Sequence, residues 1–212
     1  MNGSLDSLRL IGMASTTYHL FEDSLYKGKN LASGDTIIMR FDEKDLDDIV
    51  VDGGSQGEYV PNKKTNDSDF PLIYSADRID YFLKTETTKL IGNAKAKHEN
   101  TDLKAGFIEV NWPSRILNAF PKQPHDSINQ FIKPTIIEKG RDPMVGNEMT
   151  YNLDTKKGKI NYGKTKADDG FYKGKEIRNE SDKTIYIKNS IFTTCDLDLS
   201  LIHISEPTRH LL

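Results

Sequence analysis

The sequence predicts an all-β protein: an elongated, open β-jellyroll or β-solenoid-like domain built from repeated strand units. Three observations predict it. Apolar and polar residues alternate in short runs along most of the chain. Gly-, Asn- and Asp-rich turn chemistry separates those runs. No segment sustains the i, i+3, i+4, i+7 spacing of an amphipathic helix.

The alternating runs, taken in order, define the expected strands. "DTIIMRF" places Ile37, Met39 and Phe41 on one face. "DRIDYFLK" does the same with Ile79, Tyr81 and Leu83, and "GFIEVNW" with Ile108, Val110 and Trp112. "NEMTYNLD" offers Met149, Tyr151 and Leu153, and "KTIYIKN" offers Ile185 and Ile187. A period of two is the mark of a strand with one buried face. Between the runs, "KGKN", "VDGGSQGEY", "KKGK", "ADDG" and "NESD" read as turns. Two stretches read as less ordered. One is the polar Tyr59 to Pro71. The other is Phe120 to Pro143, a long loop or edge segment holding Pro121, Pro124, Pro134 and Pro143.

Composition narrows the function. The 212 residues carry 29 Lys+Arg against 32 Asp+Glu, a net charge of −3, without the basic footprint of a nucleic-acid binder. Nine Tyr and nine Phe supply strand-forming bulk within an apolar content of only 36%, which suits an extended β surface. With one cysteine, Cys195, no internal disulfide can form. No run approaches the roughly 18 apolar residues of a membrane helix. The opening "MNGSLDSLRL" shows no signal peptide. At the other end, Ser200 to Arg209 resembles a translated sequencing adapter, so the genuine chain is expected to stop near Asp198 and His203 and His210 to carry no function.

One motif occurs twice: Leu-Ile-Gly-x-Ala at Leu10 to Ala14 and again at Leu90 to Ala94. A repeat that cannot close its own core must stack on its neighbour. The small residues Gly92, Ala94 and Ala96 leave room for a facing sheet or for a ligand. The expected blocks are 1–60 (first unit), 70–120 (second unit), 121–143 (Pro-rich insertion), 144–198 (C-terminal strands) and 199–212 (adapter-derived).

Here the residues resemble a known family. "LIGNAKAKHENTDLKAGFIEVNW" and "YSADRIDYF" are similar to the OstA-like repeats of lipopolysaccharide-transport proteins. Met149 to Gly158 (M-x-Y-N-L-x-T-K-K-G), Asp169 to Lys175 (D-G-x-Y-x-G-K) and Phe192 to Asp196 (F-T-T-C-D) resemble the end of the periplasmic domain of the LptD class of assembly proteins. The resemblance spans about residues 8 to 198 and implies an open, V-shaped jellyroll that shields lipopolysaccharide acyl chains. It also implies a periplasmic, outer-membrane-associated location and edge-to-edge docking to other OstA-like proteins by strand addition. An outer-membrane barrel with its lipoprotein partner would follow, and Cys195 would join an interdomain disulfide. The chain departs from the shortest members by the unit before residue 70 and by the Pro-rich insertion. No cofactor, nucleic acid or metal is implied.

Lipid-groove candidates are therefore Ile37, Met39, Phe41, Ile79, Tyr81, Leu83, Ile108, Val110, Trp112, Met149, Tyr151, Ile185 and Ile187. The same residues would serve equally as ordinary core. The acidic run Asp42, Glu43, Asp45, Asp47, Asp48 lacks the ligand spacing and central glycine of a calcium loop and reads as a solvated turn. His19, His98 and His125 show no metal spacing, and no catalytic or nucleotide-binding motif occurs. A non-enzymatic conduit is the favoured role. The rivals are a soluble LptA-like bridge and a β-solenoid carbohydrate hydrolase. The last would need paired carboxylates facing inward.

Overall fold

Each of the five alternating runs falls largely on a strand of one antiparallel sheet, with Leu83, Trp112 and Leu153 in the turns just beyond their strands. In a computed structural model the structure describes residues 5–22, 24–42, 45–62, 70–122, 131–167, 170–180 and 184–194. Cys195, His125 and the adapter-like tail lie outside the described residues. The strands are β1 (Ser7–Glu22), β2 (Leu25–Asp42), β3 (Asp45–Pro61), β4 (Leu72–Phe82), β5 (Thr87–His98), β6 (Thr101–Asn111) and β7 (Ile116–Phe120). They continue with β8 (Thr135–Glu138), β9 (Met144–Val145), β10 (Glu148–Asn152), β11 (Gly158–Ala167), β12 (Gly170–Asn179) and β13 (Ile185–Thr193). Spatial order follows chain order, except that β8 and β9 fill the space between β6 and β11 beside β7 and β10.

Long strands do not stay flat. On β4 the hydroxyls of Tyr74 and Tyr81, seven residues apart, are 3.2 Å from one another. A straight strand would separate them by about 23 Å and point them to opposite faces. The sheet is folded between them, along a row of bulges. On β1, Gly12 and Met13 together face the single Asp35 of β2; on β3, Gly53 and Gly54 face Asp77 of β4; on β5, Gly92 and Asn93 face Gly106 of β6. Each two-residue step is left-handed: φ is 87° and 44° at Gly12 and Met13, 77° and 58° at Gly53 and Gly54, 73° and 45° at Gly92 and Asn93. Two left-handed residues against one bend the strand sharply and restore the inward phase beyond the bend.

The duplicated Leu-Ile-Gly-x-Ala is therefore this crease, written on β1 and β5. Glycine, and asparagine at Asn93, admit the left-handed backbone. A third, degenerate copy, Val51-Asp52-Gly53-Gly54-Ser55, sits on β3 between them. Farther along the sheet, left-handed Tyr162 on β11 and Asn189 on β13 continue the line.

The crease divides the sheet into two arms that face each other. The first holds the N-terminal part of β1, the C-terminal part of β2, the start of β3, and β7 and β10. The second holds the other strand halves with β8 and β9.

Three readings are corrected. "VDGGSQGEY" with Gly53, Gly54 and Gly57, and "KGKN" with Gly28, are not turns but lie inside β3 and β2. Bulges use the same left-handed chemistry as turns, so composition alone does not separate them. The Pro-rich stretch is not an edge throughout. Thr135–Glu138 is an inner strand, paired to β6 on one side and β9 on the other. The acidic run, read as a solvated turn, is solvated but only its hairpin end between Asp42 and Asp45 turns. Asp45, Asp47 and Asp48 belong to β3, Arg40 holds Asp48 at 2.8 Å, and Lys84 bridges Asp42 and Asp47 at 2.5 and 3.0 Å.

Candidate functional site

The space between the arms is filled mainly by apolar side chains. From the first arm come Ile37, Ile49, Val51, Ile79, Leu90, Ile108 and Val110, all buried. Facing them from the second arm are Ala14, Ala32, Ala96, Ala105 and Leu103. Branched side chains thus pack into positions where small ones leave room, which lets the arms approach closely. Removing this surface from water contributes about 25 cal/mol per Å².

The thirteen groove candidates fall on this interior unevenly. Ile37, Ile79, Tyr81, Ile108, Val110, Trp112, Met149 and Tyr151 are buried in it. Met39, Leu83, Ile185 and Ile187 are half-buried and pack against it. Phe41 is half-buried near the β2–β3 hairpin, paired with Leu46. Alternation was enough to find the first arm. It did not find Tyr18, Asn30, Tyr59, Tyr74 and Ala32 on the second arm, because the bulge resets the phase midway along each strand. The signal that would have found them is the [Leu/Val]-x-Gly-x-[Ala/Ser] motif read as a phase change.

A polar network crosses the interior. Asn30, fully buried, donates from Nδ2 to the Tyr18 hydroxyl at 2.7 Å and accepts from the Tyr74 hydroxyl at 2.8 Å. Tyr74 also meets Tyr81. Burial pushes the Tyr18, Tyr74 and Tyr81 hydroxyls well above the ordinary phenol value, so all remain protonated hydrogen-bonding groups.

The arm tips meet opposite the crease. Tyr59 packs on Trp112 with ring centroids 4.7 Å apart, and the Arg115 guanidinium lies 5.0 Å over the Tyr59 ring. Trp112 Nε1 donates to Thr88 at 2.8 Å, and Arg115 pairs with Asp154 at 3.2 Å. Next along the mouth, His98 stands edge-on to Tyr151 at 6.2 Å and Lys156 pairs with Glu99. Farther on, Arg141 bonds both Glu138 and Asn179. Burial first, then Lys156 and Arg115, lower the His98 pKa to about 4, so the ring is neutral near pH 7. A cavity of about 190 Å³ opens at the tips beside Leu20, Tyr59, Trp112 and Arg115.

Outside the arms, β1 and β13 have no partner on their outer edges among the described residues. β1 exposes Leu8, Ile11 and Met13, and β13 exposes Tyr186, Ile191 and Phe192. A separate trough of about 660 Å³ lies on the outer face of the second arm. Among the described residues no group of three or more His, Cys, Asp or Glu could hold a metal ion, and no helix is long and apolar enough to cross a membrane.

No protein-family model matches the chain, and no curated protein matches it. Among solved structures it is similar to LptH of Pseudomonas aeruginosa, described as the LptA-homologous periplasmic component of the lipopolysaccharide transport device. The TM-score is 0.47 at 15% identity, over 60% of this chain and 96% of that one.

Proposed function

We propose that the chain is a periplasmic lipid conduit of the lipopolysaccharide-assembly class and not an enzyme, holding acyl chains between its two arms. The observation that carries the reading is the crease: one sheet folded on itself so that two apolar faces oppose each other, hinged at one side and closed at the other by side-chain contacts such as Tyr59 on Trp112. Such a fold offers an apolar surface suited to acyl chains. The arms pack on each other, so acyl chains enter by parting the tips at Tyr59 and Trp112 and replacing protein–protein contacts with protein–lipid ones. The unpaired edges of β1 and β13 suit docking by strand addition to similar domains. The LptD-like motifs at Met149 to Gly158 and Phe192 to Asp196 favour the part that precedes an outer-membrane barrel.

The chain has one tryptophan, Trp112, and it stands at the tips. Lipopolysaccharide with brominated acyl chains is expected to quench its fluorescence saturably, while the delipidated polysaccharide leaves it unchanged. Absence of quenching, or competition by the polysaccharide alone, overturns acyl binding between the arms.

A further inference from the structure

The outer trough has a composition that the interior does not explain. Its row nearest the crease runs across the strands as Ser15, Ser33, Gln56, Ser75, Lys95 and Lys104, each the register partner of the next. Every side chain in this row can donate a hydrogen bond, and none is acidic. Lys95 and Lys104 stand directly opposite each other, both exposed. Directly opposed like charges destabilise a strand pair, with their Cβ atoms about 5 Å apart. Among the described residues neither lysine has a carboxylate partner to relieve that repulsion. One row farther out the trough is lined by Leu31, Glu58 and Ile73 in register, Ile73 half-exposed at 50%. In that row Lys97 faces Asp102, and both line the trough.

We propose that this trough binds a phosphorylated saccharide. Two uncompensated ammonium groups side by side form a clamp for one phosphate, each acting as a point charge. The serine hydroxyls and the Gln56 amide match sugar hydroxyls, which both donate and accept. Leu31 and Ile73, on either side of Glu58, offer apolar surface for the C–H groups of a sugar ring, and the Glu58 carboxylate can accept from its hydroxyls. The volume of about 660 Å³ lies inside the usual range for small-ligand sites and accommodates a disaccharide. The arrangement explains why a repulsive lysine pair is kept: it costs stability in the free chain and is relieved on binding. This site is on the opposite face of the sheet from the arm interior, so it does not rest on the conduit reading.

The test is calorimetric titration of the full chain at low salt with trehalose 6-phosphate, trehalose and inorganic phosphate, none of which carries an acyl chain. Saturable binding of the sugar phosphate is expected, at least tenfold tighter than of either trehalose or phosphate. Lys95→Gln and Lys104→Gln should each lower that affinity at least tenfold. Each should also raise the melting temperature of the free chain, a gain that a merely structural lysine would not give. Trp112 quenching by acyl chains should be unchanged in both variants, which separates failure here from failure of the conduit. The proposal is overturned by no saturable binding, by affinity that survives both substitutions, or by phosphate binding as tightly as its sugar ester.

Discussion

The two arms of one sheet are built from different residues, though each of the long strands passes through both. The first arm is lined by Ile37, Ile49, Val51, Ile79, Leu90, Ile108 and Val110. The second is lined by alanines, with Tyr18, Asn30, Tyr59 and Tyr74 among them. The first arm supplies bulk; the second supplies space and polar ties. The difference teaches that neither arm makes a core alone. Aliphatic rows need a facing surface, and small residues need something large to cover them. The crease joins these two half-solutions by folding a strand back on itself, so most of the core's partners are brought together within single strands and hairpins.

The largest expected effect comes from breaking the crease that serves both arms. A methyl group at Gly106 would sit 1.8 Å from the Pro121 carbonyl oxygen. That neighbour is backbone, held by the Ile132 N–H bond to the same oxygen at 2.9 Å. Gly106→Ala is expected to cost more than about 3 kcal/mol in urea unfolding. A cost below about 1 kcal/mol would mean that the crease yields easily. Next is the aliphatic arm itself. Ile79→Ala empties a fully buried site on the first arm and is expected to cost about 2–5 kcal/mol.

The polar arm gives a smaller and different response. Asn30→Ala removes the acceptor of the Tyr74 hydroxyl and the donor to Tyr18. The expected loss is about 1–3 kcal/mol, because buried hydroxyls lose a partner. Double-mutant cycles with Tyr81→Phe should show coupling across the arms, since Tyr81 meets Tyr74 and stands 5.4 Å from Tyr18. Additive losses would show that the network does not span the interior.

This contrast also explains what could be read from the residues. Ile108 and Val110 declare a buried face by plain alternation, and so do Ile37 and Ile79. The all-β class and most of the first arm were legible for that reason. The second arm was not, because Gly92 and Asn93 shift the phase midway along β5, as their counterparts do on β1 and β3. In the sequence, residues on either side of that shift read as different strands. Hence Gly53 and Gly54 read as a turn although they lie inside β3. The tip contacts of Tyr59 with Trp112, and of His98 with Tyr151, depend on arm closure that no local pattern encodes.

Acid should act on the tips before it acts on the aliphatic arm. His98 is 3% exposed, and its pKa is lowered to about 4 from an ordinary 6.5. Lys156 and Arg115 disfavour its protonation, while Glu99 and Asp154 partly offset them. The unfolded chain therefore binds this proton more readily than the folded one. The neutral ring contributes stability that is fully present above pH 6.5 and is lost progressively as pH falls toward 4. One pH unit below the ordinary value the loss is about 1 kcal/mol. The difference in urea midpoint between the parent chain and His98→Gln should shrink over this window. A difference that stays constant with pH would show that His98 does not titrate there.

The smallest effect sharpens the crease itself. Met13 is 94% exposed, so its side chain contributes almost nothing to either arm. Its backbone is nevertheless left-handed, with φ of 44°, a conformation that Gly54 and Asn93 occupy at the matching positions on β3 and β5. A methionine there carries roughly 1 kcal/mol of backbone strain that glycine avoids, partly offset by the extra freedom glycine has in the unfolded chain. Met13→Gly should therefore raise stability by about 0.5 kcal/mol, and Met13→Asn should match it. If both variants were less stable, Met13 would contribute through its exposed side chain on the β1 edge. The crease would then be set by pairing with Asp35 and not by local backbone preference.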